Sequence, residues 1–109
     1  MQRNEIIDTL VLNEVSDDYE DLDHIVSGIA TLPFAFPLKI EVHEVEAALQ
    51  RLIASGYVQA YDLFVLPPLN AQIPGPLKPE EIDRYYFLQT AKGKTLHASL
   101  AWPPDDQGT

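Results

Sequence analysis

The chain contains no cysteine, and this absence excludes disulfides, thiol catalysis and thiolate metal sites. It also fits a reducing compartment, so we expect a cytoplasmic protein. The first ten residues, MQRNEIIDTL, have acids within their apolar stretch and predict no signal peptide. No segment approaches the roughly 18 consecutive apolar residues that indicate a membrane-spanning helix.

Basic residues are scarce, with seven Lys and Arg against 17 Asp and Glu, a net charge of −10 and a pI near 4.4. No segment is basic, and the first 30 residues hold Arg3 as their one basic residue. Proteins that bind free nucleic acid usually present a basic face, because phosphate contacts release counterions. The charge distribution therefore disfavours DNA binding by a monomer.

Sequence patterns for catalysis and metal binding are also missing. The five glycines form no phosphate-binding loop, the serines lack a nucleophile-elbow context, and the three histidines are scattered. The acidic run 17–24 lacks the alternating ligands and central glycine of a calcium loop. His43-Glu44 does not extend to a zinc-protease helix, since Ala47 stands at the required second histidine. The sequence predicts no enzyme, no cofactor and no metal site.

Hydrophobic periodicity predicts one domain with three helices and two strands. At 109 residues with 46% hydrophobic content, the chain can bury a core of its own. Helical spacing favours helices over 4–13, 17–29 and 42–55, and aromatic and β-branched residues favour strands over 57–66 and 84–89.

Capping residues and prolines sharpen these boundaries. Asp17 followed by Glu20 predicts a capping box for the second helix. The connector 31–37 is expected to pack on the core, and 38–40 to add a short strand. Prolines at 67, 68, 74, 76 and 79 argue against a regular strand between the two predicted strands, while 79–81 predicts one helical turn.

Two runs carry a resemblance to a known family. LQRLIASGYV, residues 49–58, reads as a helix, a glycine stop and a strand, and TAKG, residues 90–93, reads as the capped start of a last helix. In this order, separated by two strand-like runs, they resemble a winged helix-turn-helix domain. The resemblance implies an α+β fold over 1–102, with a three-helix core and a small antiparallel sheet. It also implies a short C-terminal helix that is capped by Thr90 and reaches about Leu100. The wing insertion would span 66–83, followed by a flexible tail over 103–109.

In that family the third helix normally reads DNA, and the wing contacts the minor groove or phosphates. The resemblance therefore implies a small homodimeric transcriptional regulator as one function of this chain. The candidate nucleic-acid contacts would be His43, Glu44, Ala47, Gln50, Arg51, Arg84, Lys92 and Lys94. Dimerisation through the terminal helices would use Ile6, Leu10, Leu96, Leu100 and Trp102.

The composition of the wing favours a different function, a non-catalytic regulatory module that docks a protein partner. Apolar residues around proline turns are typical of a rigid contact patch. The candidate partner contacts are Phe64, Leu66, Pro67, Pro68, Leu69, Ile73 and Leu77. The alternative for the same residues is that they fold back over the sheet and close a small core. A third hypothesis is a nucleic-acid mimic, in which the acidic run 14–23 occupies a basic groove.

Overall fold

The structure, a computed structural model, describes residues 2–64, 71–102 and 104, with the backbone alone at Ala71. The described part of the chain has an α+β fold of four α-helices and a three-stranded antiparallel sheet. In chain order its elements are α1 (Arg3–Glu14), α2 (Leu22–Ala30), a 3₁₀ turn (Phe36–Leu38), α3 (Val42–Ala54), β1 (Val58–Asp62), β2 (Ala71–Ile73), a second 3₁₀ turn (Pro79–Glu81), β3 (Tyr86–Gln89) and α4 (Ala91–Ser99).

Helix α1 is the centre of the core. Its buried side chains extend over more than one face and pack against α2, α3 and α4. They include Ile6 and Leu10, which are 2% and 0% exposed. These two residues were expected at a dimer interface, and that prediction is wrong because the monomer's own core already covers them.

Helix α2 begins later than predicted. Asp21 is its N-cap, and its carboxylate accepts a hydrogen bond from the backbone N–H of His24 at 2.9 Å. The predicted capping box of Asp17 and Glu20 is wrong because Glu20 has an extended backbone. Its N–H donates to the carbonyl of Phe87 at 3.0 Å, and its carbonyl accepts from the N–H of Phe87 at 2.8 Å.

The predicted strand over 38–40 is also wrong. The segment enters α3 through the 3₁₀ turn, which ends at Lys39 in a left-handed conformation with a φ of 50°. Helix α3 itself agrees with its predicted range of 42–55. A capping box of Glu41 and Glu44 begins it, and Gly56, with a φ of 81°, follows its end.

Strand β1 lies at the centre of the sheet, in the order β2-β1-β3. It pairs Ala60 with Ile73 of β2 and with Phe87 of β3. Both predicted strands are shorter than expected, and β2 contradicts the prediction that no strand lies between them. That strand fits into the proline-free stretch before Pro74 and occupies the sheet edge, where pairing on one side suffices.

The end of the described chain agrees with the sequence. The turn at 79–81 is confirmed as 3₁₀, and α4 begins at the predicted N-cap, where Thr90 Oγ1 accepts from the N–H of Gly93 at 3.0 Å. Most of the predicted tail, 103–109, lies outside the described residues. None of the described helices combines the length and the apolar character that crossing a membrane requires.

Two helical glycines differ in how closely another part of the chain approaches them, and Gly93 of α4 lies against Tyr57, the residue before β1. A side chain at Gly93 would collide with the backbone carbonyl of Tyr57, whereas one at Gly28 would meet the flexible carboxylate of Glu14. Both glycine-to-alanine changes gain about 1 kcal/mol of helix propensity. We expect Gly93→Ala to lower the free energy of unfolding by about 1–3 kcal/mol, and Gly28→Ala to leave it unchanged or raise it.

The measurement is urea denaturation of both variants beside the parent protein. Equal stability of Gly93→Ala and Gly28→Ala would contradict the close approach of α4 to the backbone of Tyr57.

Candidate functional site

Helix α3 carries most of the residues predicted to contact nucleic acid, and one of them, Gln50, is hydrogen-bonded within the chain. Its side-chain amide binds both backbone groups of Leu77, 27 positions further along the chain. Gln50 Nε2 donates to the Leu77 carbonyl at 2.7 Å, and Gln50 Oε1 accepts from the Leu77 N–H at 3.2 Å. The amide that would read adenine therefore holds the returning chain of the wing instead.

Arg51 is likewise engaged within the chain. Its Nη2 donates to Asp8 Oδ1 at 2.6 Å, and its Nε lies 3.1 and 3.2 Å from the two carboxylate oxygens. The two-atom geometry fixes the orientation of the guanidinium and ties α3 to α1. A phosphate or guanine contact would require Arg51 to leave Asp8.

Glu44 forms the third such link, at the start of α3. Arg3 donates through Nε and Nη2 to its two carboxylate oxygens at 2.8 and 2.9 Å, and also to the carbonyl of Leu38 at 2.8 Å. These charge-assisted hydrogen bonds lower the pKa of Glu44 from 4.5 to about 2. Because both groups remain partly exposed to water, the link orients the chain more than it stabilises it.

The remaining candidate contacts are all exposed, and they lie on three different parts of the chain, with Lys92 and Lys94 on α4. His43 and Ala47 are exposed on α3, and Arg84 is exposed before β3. Lys92 donates to the carbonyl of Ser55 at 2.8 Å and lies over the ring of Tyr57. Three of the seven Lys and Arg residues, Arg3, Arg51 and Lys92, are thus held by the chain itself.

The candidate partner contacts of the wing divide into three groups. Phe64 is 81% exposed and touches Tyr86 edge to face, with 6.2 Å between ring centroids. Ile73 is partly buried against the core and Leu77 is 7% exposed, as the fold-back alternative expects. The remaining four, Leu66, Pro67, Pro68 and Leu69, lie outside the described residues.

The connector before α3 holds an apolar surface that the sequence did not predict. The whole connector was expected to pack on the core, but Phe36 is 79% exposed. Phe34, two positions earlier, is half-buried and meets Trp102 edge to face, with 5.4 Å between ring centroids. In an extended chain two phenylalanines two positions apart would lie on the same face, but this segment is a series of turns that ends in the 3₁₀ turn Phe36–Leu38. The spacing therefore does not tell which of the two is buried.

Phe36 stands beside a cavity of about 300 Å³ between α2 and α3, here named the α2–α3 groove. Its walls are mostly apolar and contain one charged residue, Lys39. Acidic residues occur near it in the chain, with Asp23 one turn before Val26 on α2 and Glu46 beside Val45 on α3. The groove is lined by Val26, Ile29, Ala30, Ala35, Phe36, Lys39, Ile40 and Val45.

The titratable groups form no recognisable catalytic arrangement in the described part of the chain. No three His, Cys, Asp or Glu side chains there are placed to hold a metal ion. Burial, reinforced by the nearby charge of Glu20, raises the pKa of Glu14. The Asp21 carboxylate raises the pKa of His24 by accepting a hydrogen bond from its ring, and both groups belong to the cap of α2.

Comparison of the chain with protein-family models, with curated proteins and with solved structures finds no match.

The amide of Gln50 offers a test of its structural role. Gln50→Ala leaves both backbone groups of Leu77 without their partner, beside a buried side chain. We expect a loss of about 1–3 kcal/mol in the free energy of unfolding. The control is Gln72→Ala, an exposed glutamine on β2, with an expected change within about 0.5 kcal/mol. Equal losses in urea denaturation would refute the role of Gln50.

The Arg3–Glu44 link predicts a pH-dependent term in stability. The pKa of Glu44 is lower in the folded chain, so its contribution is complete above about pH 4.5 and is lost as the pH falls toward 2. We expect Glu44→Gln to destabilise the protein at neutral pH and the difference from the parent to shrink across this window. Glu46→Gln, on the same helix, is the control. A difference that stays constant with pH would contradict the ion pair.

Proposed function

We propose that this chain is a non-catalytic winged-helix module that docks a protein partner through the α2–α3 groove. The observation that carries the proposal is the engagement of α3. Glu44, Gln50 and Arg51, three of its outward polar residues, are bound by Arg3, Leu77 and Asp8. A helix whose polar side chains hold its own fold is poorly suited to reading base edges.

The element order supports the winged-helix part of the proposal. Three helices precede the paired strands, the residues of the predicted wing separate β1 from β3, and α4 follows directly. The resemblance rests on residues 49–58 and 90–93, and these two runs contain the end of α3 and the start of α4. Gly56 separates α3 from β1, and Thr90 caps α4.

The exposed apolar surface supports protein docking. Phe36 extends into solvent beside the groove, where burying a phenylalanine against a partner contributes about 1.5–3 kcal/mol. Interface energy concentrates in such anchors when a pocket lies next to them. The groove has room for a large apolar side chain from the partner, so the two surfaces can interlock.

Charge defines the chemistry of that partner. The one charged residue of the lining is the cation Lys39, but the chain carries a net charge of −10, and three acids, Asp23, Glu41 and Glu46, lie within three residues of groove-lining positions. Charge complementarity favours an amphipathic segment with an apolar anchor and flanking Lys or Arg residues. The acidic surface would speed encounter with such a segment, and the groove would supply the specific contact.

The test uses a fluorescein-labelled amphipathic helical peptide with leucine and phenylalanine on one face and lysine on the other. We expect saturable binding by anisotropy, and much weaker binding of a scrambled peptide and of one with glutamate in place of lysine. Phe36→Ala should weaken binding about tenfold, equivalent to about 1.4 kcal/mol. The matched control is Phe64→Ala, because Phe64 is equally exposed on the hairpin.

Three outcomes would overturn the proposal. Loss of binding in Phe64→Ala but not in Phe36→Ala would place the contact on the hairpin. Equal binding of the scrambled peptide would reduce the interaction to charge. Binding of random duplex DNA that falls steeply with salt would favour the homodimeric regulator instead.

A further inference from the structure

A second cavity, of about 440 Å³, lies between α1, the end of α3 and α4. Leu12 and Leu52 form its inner wall and are 1% and 4% exposed, while Leu96 of α4 and Leu100, which directly follows α4, are only partly buried. The volume falls in the range of about 300–1,000 Å³ typical of small-molecule sites. We name it the α1–α4 cavity.

The apolar lining of α4 is incompletely covered by protein. Leu96 and Leu100 pack against the core on one side and border the α1–α4 cavity. Gly93 is the one residue of α4 that is buried, and it lies at the other end of the helix against Tyr57. An apolar ligand in the cavity would contact Leu96 and Leu100 on one side and α1 on the other.

The polar groups of the cavity are concentrated on α1. Glu5 and Asp8 both line it, and Arg51 is the one cation among the lining residues. The guanidinium of Arg51 is already paired with Asp8, whereas Glu5 uses one carboxylate oxygen to accept from the N–H of Gln2 at 3.2 Å. The lining therefore carries a net charge of −1 at neutral pH, and Glu5 retains capacity to accept hydrogen bonds.

The rim of the cavity already holds an ammonium group from the chain itself. Lys92 Nζ donates to the carbonyl of Ser55 at 2.8 Å and lies 4.8 Å from the centroid of the Tyr57 ring. Ser55 and Tyr57 are both lining residues, and Ser55 caps the end of α3, where the helix dipole favours positive charge. Lys92 therefore already occupies the Ser55 carbonyl and the Tyr57 ring, so the acceptor left for a second ammonium group is the carboxylate of Glu5.

We propose that the α1–α4 cavity binds a small amphiphilic cation, an ammonium with a short aliphatic or aromatic body. The apolar body would lie against Leu12, Leu96 and Leu100, and the ammonium would face Glu5 beside the Asp8–Arg51 pair. An anionic amphiphile is disfavoured by both the two acids of the lining and the net charge of −10.

The test compares three probes of equal chain length, hexylammonium, hexanol and hexanoate, by amide chemical shifts of the intact protein. We expect hexylammonium to produce saturable shifts in α1 and α4, with binding about two- to fivefold tighter than hexanol, as partly exposed ion pairs give. Hexanoate should bind more weakly than hexanol. Tighter binding of hexanoate, equal binding of the ammonium and the alcohol, or no saturable shift with any probe would overturn the proposal.

Two variants locate the site. Leu96→Phe should fill the cavity and remove the shifts while preserving the spectrum of the folded protein. Glu5→Gln should abolish the preference for hexylammonium over hexanol and leave hexanol binding unchanged. The control for charge is Glu46→Gln, which makes the same change away from the cavity lining. An equal loss of preference in Glu46→Gln would show that diffuse charge, not Glu5, selects the cation.

Discussion

The burial of α1 on several sides is the constraint from which the rest of the fold follows. The helix packs against α2, α3 and α4, so each of the other helices is positioned by contact with it. Gln89 adds the sheet to this arrangement. Its side-chain amide donates to the carbonyl of Leu12 at 2.8 Å and its backbone N–H to that of Val15 at 2.9 Å. These bonds satisfy carbonyls at the end of α1, where a helix has no partners of its own.

The same constraint explains why the polar face of α3 is occupied. Two residues of α1 form ion pairs with α3: Asp8 pairs with Arg51, and Arg3 pairs with Glu44. Gln50 meanwhile holds the wing where it returns to the core at Leu77. Polar residues that the family resemblance assigns to DNA thus connect elements distant in sequence. The two surfaces for which binding is proposed, the α2–α3 groove and the α1–α4 cavity, expose mainly apolar side chains of the described residues.

Elements with strong local signals were predictable. Helix α3 has a regular apolar stripe and is followed by a glycine. Helix α4 is capped by Thr90, which accepts a hydrogen bond from the N–H of Gly93, three residues later. Elements decided by pairing were not. Glu20 is extended because Phe87 binds its backbone, and this moves the cap of α2 to Asp21. Strand β2 forms because the backbone of β1 provides hydrogen-bond partners for a short stretch without proline. The prolines on either side of that stretch led to the prediction that the wing contains no strand.

The sequence by itself determined the class of fold, the placement of α3 and α4 and the acidic charge, because these depend on composition and on contacts within a few residues. Tertiary structure alone decided the α2–α3 groove and the α1–α4 cavity. Whether Phe34 or Phe36 is buried depends on Trp102, far along the chain, and the partners of Gln50 and Arg51 lie 27 and 43 positions away. Hydrogen bonds and cavities between distant segments leave no periodic pattern in the sequence, so they appear only once the helices are packed.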